Sequence, residues 1–155
     1  VQRRELFGKF LGADKNAPKF ITPPYFSGEF DCKDCLAPCV DSCNRELLSL
    51  KEDRIVFEVK ELGCNFCKDC ALACEQNQTS VLNINNPSKI IAKTSIDTST
   101  CLAWNGVICY NCQDVCRFNA INFFGVFRPM INDKCVNCGE CFYVCFKSSI
   151  SMRAV

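Results

Sequence analysis

The sequence predicts an α+β fold of two small tandem modules, each built of short helices and two-stranded sheets, behind an extended N-terminal arm. Three observations predict it. Sixteen of the 155 residues are cysteine, a density that marks a cysteine-defined scaffold. Those cysteines fall into four quartets with none left over. The segments between the quartets are short, apolar and β-branched, of strand length rather than helix length.

Taken in order, residues 1–27 hold no cysteine and form the arm. Arg3-Arg4 followed by Leu6 and Phe7 looks like the head of a twin-arginine export signal. The chain then turns to LGADKNAPKF, charged and broken by Pro18, where such a signal needs an apolar stretch of about 7–15 residues. Export is therefore not expected from this segment. Pro23-Pro24 reads as a stiff spacer. The first module, 28–93, holds Cys32, Cys35, Cys39 and Cys43 (CKDCLAPCVDSC), then Cys64, Cys67, Cys70 and Cys74 (CNFCKDCALAC). The second, 94–155, holds Cys101, Cys109, Cys112 and Cys116 (CLAWNGVICYNCQDVC), then Cys135, Cys138, Cys141 and Cys145 (CVNCGECFYVC). Leu48, Val81, Ile121 and Ile150 each follow a quartet and open a short strand. Arg54–Val59, Lys89–Lys93, Ile121–Phe124 and Val126–Ile131 read as strands, with Gly125 as a turn. The thirteen phenylalanines are expected in the core, and Trp104 either as a lid over the third quartet or as plain packing.

Spacing decides what the cysteines do. A disulfide framework suits small secreted domains, and zinc takes four thiolates in a tetrahedron, often from two separated CxxC knuckles. Neither explains four cysteines within one loop, four times over. The second and fourth quartets have the C-x2-C-x2-C-x3-C spacing of bacterial ferredoxins, whose fourth cysteine serves the other cluster of a pair. The first has one extra residue between its second and third cysteines, and the third widens its first gap to seven residues. The expected cofactors are four [4Fe–4S] clusters, or three if the 101–116 quartet does not bind. In the crossed pattern Cys32, Cys35 and Cys39 combine with Cys74, and Cys64, Cys67 and Cys70 with Cys43. Likewise Cys101, Cys109 and Cys112 combine with Cys145, and Cys135, Cys138 and Cys141 with Cys116.

Composition excludes several functions. There are no histidines, which removes Ser-His-Asp and Cys-His catalysis, HExxH proteolysis and Rieske centres. The apo chain is near neutral at +1, without the basic excess of a nucleic-acid binder. Four clusters of about −2 each make the loaded protein acidic, near −7. No apolar run reaches the ~18–20 residues of a membrane span. No nucleotide or flavin fingerprint is present, so an enzyme in its own right is not expected and no catalytic residue is assigned.

The quartets, the Arg3-Arg4 head, the Pro-Pro-aromatic run at 23–25 and above all the CLAWNGVIC segment resemble the NapF family, the ferredoxin-type accessory proteins of the periplasmic nitrate reductase system. One departure is plain: ferredoxin motifs usually carry proline after the fourth cysteine, where Asn44, Glu75, Arg117 and Phe146 stand here. The resemblance implies a cytoplasmic iron–sulfur protein that meets the precursor of the nitrate reductase catalytic subunit before its export. There it would assist maturation by electron transfer or cluster assembly. The alternative is a soluble electron carrier or the electron-transfer subunit of an oxidoreductase complex.

Overall fold

The computed structural model describes residues 20–155; the Arg3-Arg4 head and most of the expected arm lie outside them. The elements run α1 (Pro38–Asp41), β1 (Leu48–Lys51), β2 (Arg54–Phe57), α2 (Asp69–Gln76) and β3 (Lys93–Ile96). They continue with α3 (Asn111–Asp114), β4 (Ile121–Phe124), β5 (Arg128–Ile131), α4 (Glu140–Tyr143) and β6 (Ile150–Arg153). The α+β class, the short helices and the two-stranded sheets are as the sequence predicts.

Two antiparallel hairpins, β1–β2 and β4–β5, each lie in sequence between two helices. In the second half β3 and β6 pair around the hairpin, Ile96 opposite Ile150. In the first half the same place is taken by a single bridge, Phe26 to Leu82. Backbone bonds from Ser27 N–H to the Val81 carbonyl (2.9 Å) and from Asn83 N–H to the Tyr25 carbonyl (2.9 Å) reinforce it.

Single-turn helices do not stand alone, because nucleation costs more than one turn returns. Here each is set by its flanking cysteine loop. Ala37, Lys68 and Gly139, the residues before α1, α2 and α4, take left-handed conformations with φ of 52°, 73° and 82°. That turn lets the extended cysteine loop reverse into a helix. Gly139 adopts it freely, whereas Ala37 and Lys68 do so against a side-chain cost.

Several expectations need correction. The strand expected at Lys89–Lys93 begins only at Lys93, as β3, and residues 89–92 are not part of it. Ile90 is fully buried, its N–H bonds the Val136 carbonyl (3.1 Å), and the Asn137 amide takes the Ile90 and Ala92 carbonyls, so this backbone is satisfied without a ladder. Val81 opens no strand either, since pairing there is confined to the Leu82 bridge. The β4–β5 turn is longer than Gly125 alone: Phe124 pairs with Arg128, leaving three residues in the loop. Pro23 and Pro24 are no spacer; both are buried, and the adjoining Tyr25 is only 2% exposed. Among the described phenylalanines only Phe57 is buried, while Phe124 and Phe146 face solvent. The core is instead aliphatic, centred on Leu48, Ile55, Leu82 and Ile90 with Phe57 and Tyr25. No helix among the described residues is long and apolar enough to cross a membrane.

Candidate metal centres

All sixteen cysteines are unpaired thiols, and the fold gathers them across the chain rather than by quartet. One cavity is lined by Cys43, Cys64, Cys67 and Cys70, with Pro24 and Tyr25 in its wall. A second is lined by Cys101, Cys109, Cys112 and Cys145. A third is lined by Cys116, Cys135, Cys138 and Cys141. Cys39 has Cys74, Cys32 and Cys35 as its charge neighbours, which brings the remaining four together. In chain order of their first three cysteines these are sites one (Cys32, Cys35, Cys39, Cys74), two (Cys64, Cys67, Cys70, Cys43), three (Cys101, Cys109, Cys112, Cys145) and four (Cys135, Cys138, Cys141, Cys116). Cys101, at the end of the widest gap, lies with Cys109 and Cys112.

The exchange of the fourth cysteine has a local cause. Cys70 and Cys74 sit four residues apart on α2. Cys70 turns to site two and Cys74 to site one, where it neighbours Cys32 and Cys39. In the other quartets the last cysteine follows the single-turn helix after one capping residue, so its thiol leaves beyond the far end of that turn.

The loops also bring donors to sulfur. Phe66 N–H reaches Cys64 Sγ at 3.4 Å and Ala37 N–H reaches Cys35 Sγ at 3.3 Å. Ala120 N–H and Ser149 N–H reach Cys116 Sγ and Cys145 Sγ, each at 3.3 Å and each four residues on. Leu82 N–H points to Cys74 Sγ (3.4 Å), and the Asn77 amide donates to Cys35 Sγ (3.2 Å). Phe66 and Asn137, matching positions of the two regular motifs, both have φ of 58°. Successive right- and left-handed residues turn amides inward and make an anion-binding concavity.

Burial pushes the thiols up, because the thiolate loses more hydration than the thiol. Cys39 and Cys70 rise to about 12, and Cys64 and Cys112 to about 11, with neighbouring thiols adding to the effect. A bound cationic iron core reverses that balance, since ligation takes the thiolate and releases the proton. Among the described residues no three cysteine or carboxylate side chains converge on a point fit for a single ion. At sites two, three and four the thiols line cavity walls. Four thiols around an apolar cavity with amides aimed at sulfur fit an iron–sulfur cluster.

For Trp104 the packing alternative holds and the lid does not: Leu102 is among the residues lining site three and Trp104 is not, and Trp104 Nε1–H bonds the Pro129 carbonyl (3.1 Å) beneath the Arg128 guanidinium. Two contributors had gone unrecognised. Tyr25 walls site two and its hydroxyl donates to the Phe66 carbonyl (3.0 Å). Asn77 donates to sulfur from the residue after α2. Tyr25 stood inside the Pro-Pro-aromatic run, which was a signal; Asn77 had none.

No family model matches the chain. Over 154 residues it is 30% identical to the ferredoxin-type protein NapF of Escherichia coli, covering 93% of this chain and 91% of that protein. A NapF of Haemophilus influenzae is 41% identical over 64 residues, 37% of this chain and 36% of that one. The methylamine utilization ferredoxin-type protein MauM of Methylobacillus flagellatus is 26% identical over 181 residues, 97% of this chain and 75% of its own.

Proposed function

The chain belongs to the NapF family of ferredoxin-type proteins, and from that premise we propose that it carries four [4Fe–4S] clusters and assists maturation of the periplasmic nitrate reductase catalytic subunit in the cytoplasm. The observation that carries the cofactor half of this reading is the lining of the three cavities. Each is bounded by three cysteines of one quartet and the last cysteine of another. When bound, each cluster stores and passes one electron at a potential set by burial and by hydrogen bonds to its sulfurs.

The residues do the rest. The sixteen cysteines hold the clusters, the Ala37, Phe66, Ala120 and Ser149 amides offset thiolate charge, and Tyr25 and Leu102 keep water from sites two and three. With its thiols so engaged, the chain acts as an electron-transfer or cluster-delivery partner rather than as a catalyst. The relatives named NapF support the nitrate reductase system as its setting. Sixteen unpaired thiols suit a reducing compartment, which favours the cytoplasm. A second reading, a general soluble electron carrier, is favoured by the likeness to a ferredoxin-type protein named for methylamine utilization rather than for nitrate.

Capture experiments separate the two. A tagged, anaerobically loaded chain is expected to fractionate with the cytoplasm and to retain the unexported catalytic subunit, less so at high salt as surface charge is screened. Recovery of the tag in the periplasm, or no retention at any ionic strength, would leave the carrier reading in place.

A further inference from the structure

We propose that the seam where Gly63 and Cys64 meet Cys138, Gly139 and Glu140 is the electron crossing between the two halves, so that the four sites work in the order one, two, four, three rather than in chain order. This rests on the reading that the sites hold clusters.

The seam is a close backbone approach between the halves. Cys64 N–H bonds the Cys138 carbonyl at 2.7 Å, joining backbones of the residues that line sites two and four. A Cβ on Gly63 would meet Glu140 N at 2.2 Å and the Cys138 carbonyl oxygen at 2.6 Å, so no other residue allows this contact. A Cβ on Gly139 would strike Val59 Cγ2 at 2.4 Å, so glycine permits close packing from both sides. The Arg45 guanidinium bonds both the Gly63 carbonyl and the Glu140 carboxylate, and Arg117 Nη2 lies 3.4 Å from the Cys64 carbonyl. One carboxylate thus holds a guanidinium from each half at this point, with Arg117 at 4.0 Å.

The remaining steps stay within a half. Cys70 of site two neighbours Cys39 of site one, and Cys141 of site four neighbours Cys112 of site three. Between halves the corresponding neighbours are Cys64 and Cys138. Tunnelling falls off exponentially with separation, so the shortest links set the route. In one crossing site two is oxidised by one electron and site four reduced by one; no bond forms or breaks and no proton moves. A low-potential one-electron donor, dithionite in the test, fills the chain.

The test uses full-length protein loaded without oxygen, and the wild type is first assayed for iron. About sixteen irons per chain is expected; iron near zero would overturn the cluster reading and the crossing together. Cys35→Ala with Cys39→Ala and Cys109→Ala with Cys112→Ala then empty the outer sites. The reduced variant is expected to keep about eight irons and to show one broadened, spin-coupled paramagnetic signal. Adding Gly63→Val should resolve it into two isolated signals at unchanged iron. Eight irons with isolated signals before the Gly63 change would overturn the crossing and leave the clusters standing. Should the outer-site variant fail to load, the wild type is titrated with reductant beside Arg45→Met/Glu140→Gln at equal iron. Weaker coupling in that variant supports the seam, and identical coupling overturns it.

Discussion

The two halves share a cysteine plan and differ in how they cover it. In the first, Cys32, Cys39, Cys64, Cys70 and Cys74 are buried, and the aliphatic core packs directly against them. In the second, all eight cysteines are only half-buried, and Tyr143 and Phe146, on and just after α4, are 70% and 83% exposed. The first half gains its cover from residues outside its quartets: Tyr25 and Pro24 ahead of them, Leu82 and Ile90 behind. The second is closed by a regular β3–β6 pair, and its added cover at site three, Leu102, comes from the widened gap of its own quartet. Spacing therefore positions thiols, while shielding is set by the neighbouring segments.

The largest consequence is expected in chelator kinetics. Anaerobic protein treated with a strong iron chelator should lose about half of its iron in a fast phase, from sites three and four, before the remainder. Cys101→Ser should shrink the fast phase and Cys67→Ser the slow one. A single phase would break the comparison. Next in size is Phe57→Ala, which removes a 1%-exposed ring from the first-half core and should cost about 3–5 kcal/mol in urea titration. Phe124→Ala, on an exposed ring of the second half, should fall within about 0.5 kcal/mol of wild type.

Asn137→Ala tests the join between the halves. Its amide bonds the Ile90 and Ala92 carbonyls at 2.8 and 2.9 Å, and its oxygen accepts from Thr94 at 2.8 Å. Each buried group left without a partner should cost about 1–3 kcal/mol. Tyr25→Phe keeps the ring and loses the bond to Phe66, for about 0.5–1.5 kcal/mol, with faster iron loss confined to the slow phase.

Which cysteines lie together was partly legible because spacing is a local constraint: a loop that turns back every third residue brings three of its thiols together, while the fourth neighbour comes from another quartet. Strands β1, β4 and β6 were legible from Leu48, Ile121 and Ile150 for the same reason, since each follows its cysteine turn at a fixed offset. Lys89–Lys93 misled because Ile90 and Ile91 belong to a connector that buries only Ile90 and whose carbonyls a side-chain amide satisfies, the strand opening at Lys93. Pro23-Pro24 reads as a spacer in the sequence because proline pairs usually stiffen exposed chain, and only the packed structure shows a cavity for Pro24 and Tyr25 to wall. The Gly63–Gly139 seam depends on contacts across some seventy residues of sequence, where spacing says nothing.

The most direct measurement is iron and acid-labile sulfide per chain after anaerobic reconstitution, read beside the visible spectrum. The account predicts a brown protein with about sixteen irons and matching sulfide, four of each per site. About twelve would reduce the count to three sites and remove the one containing Cys101. Saturation near four zinc ions, without sulfide or visible absorption, would contradict the account outright.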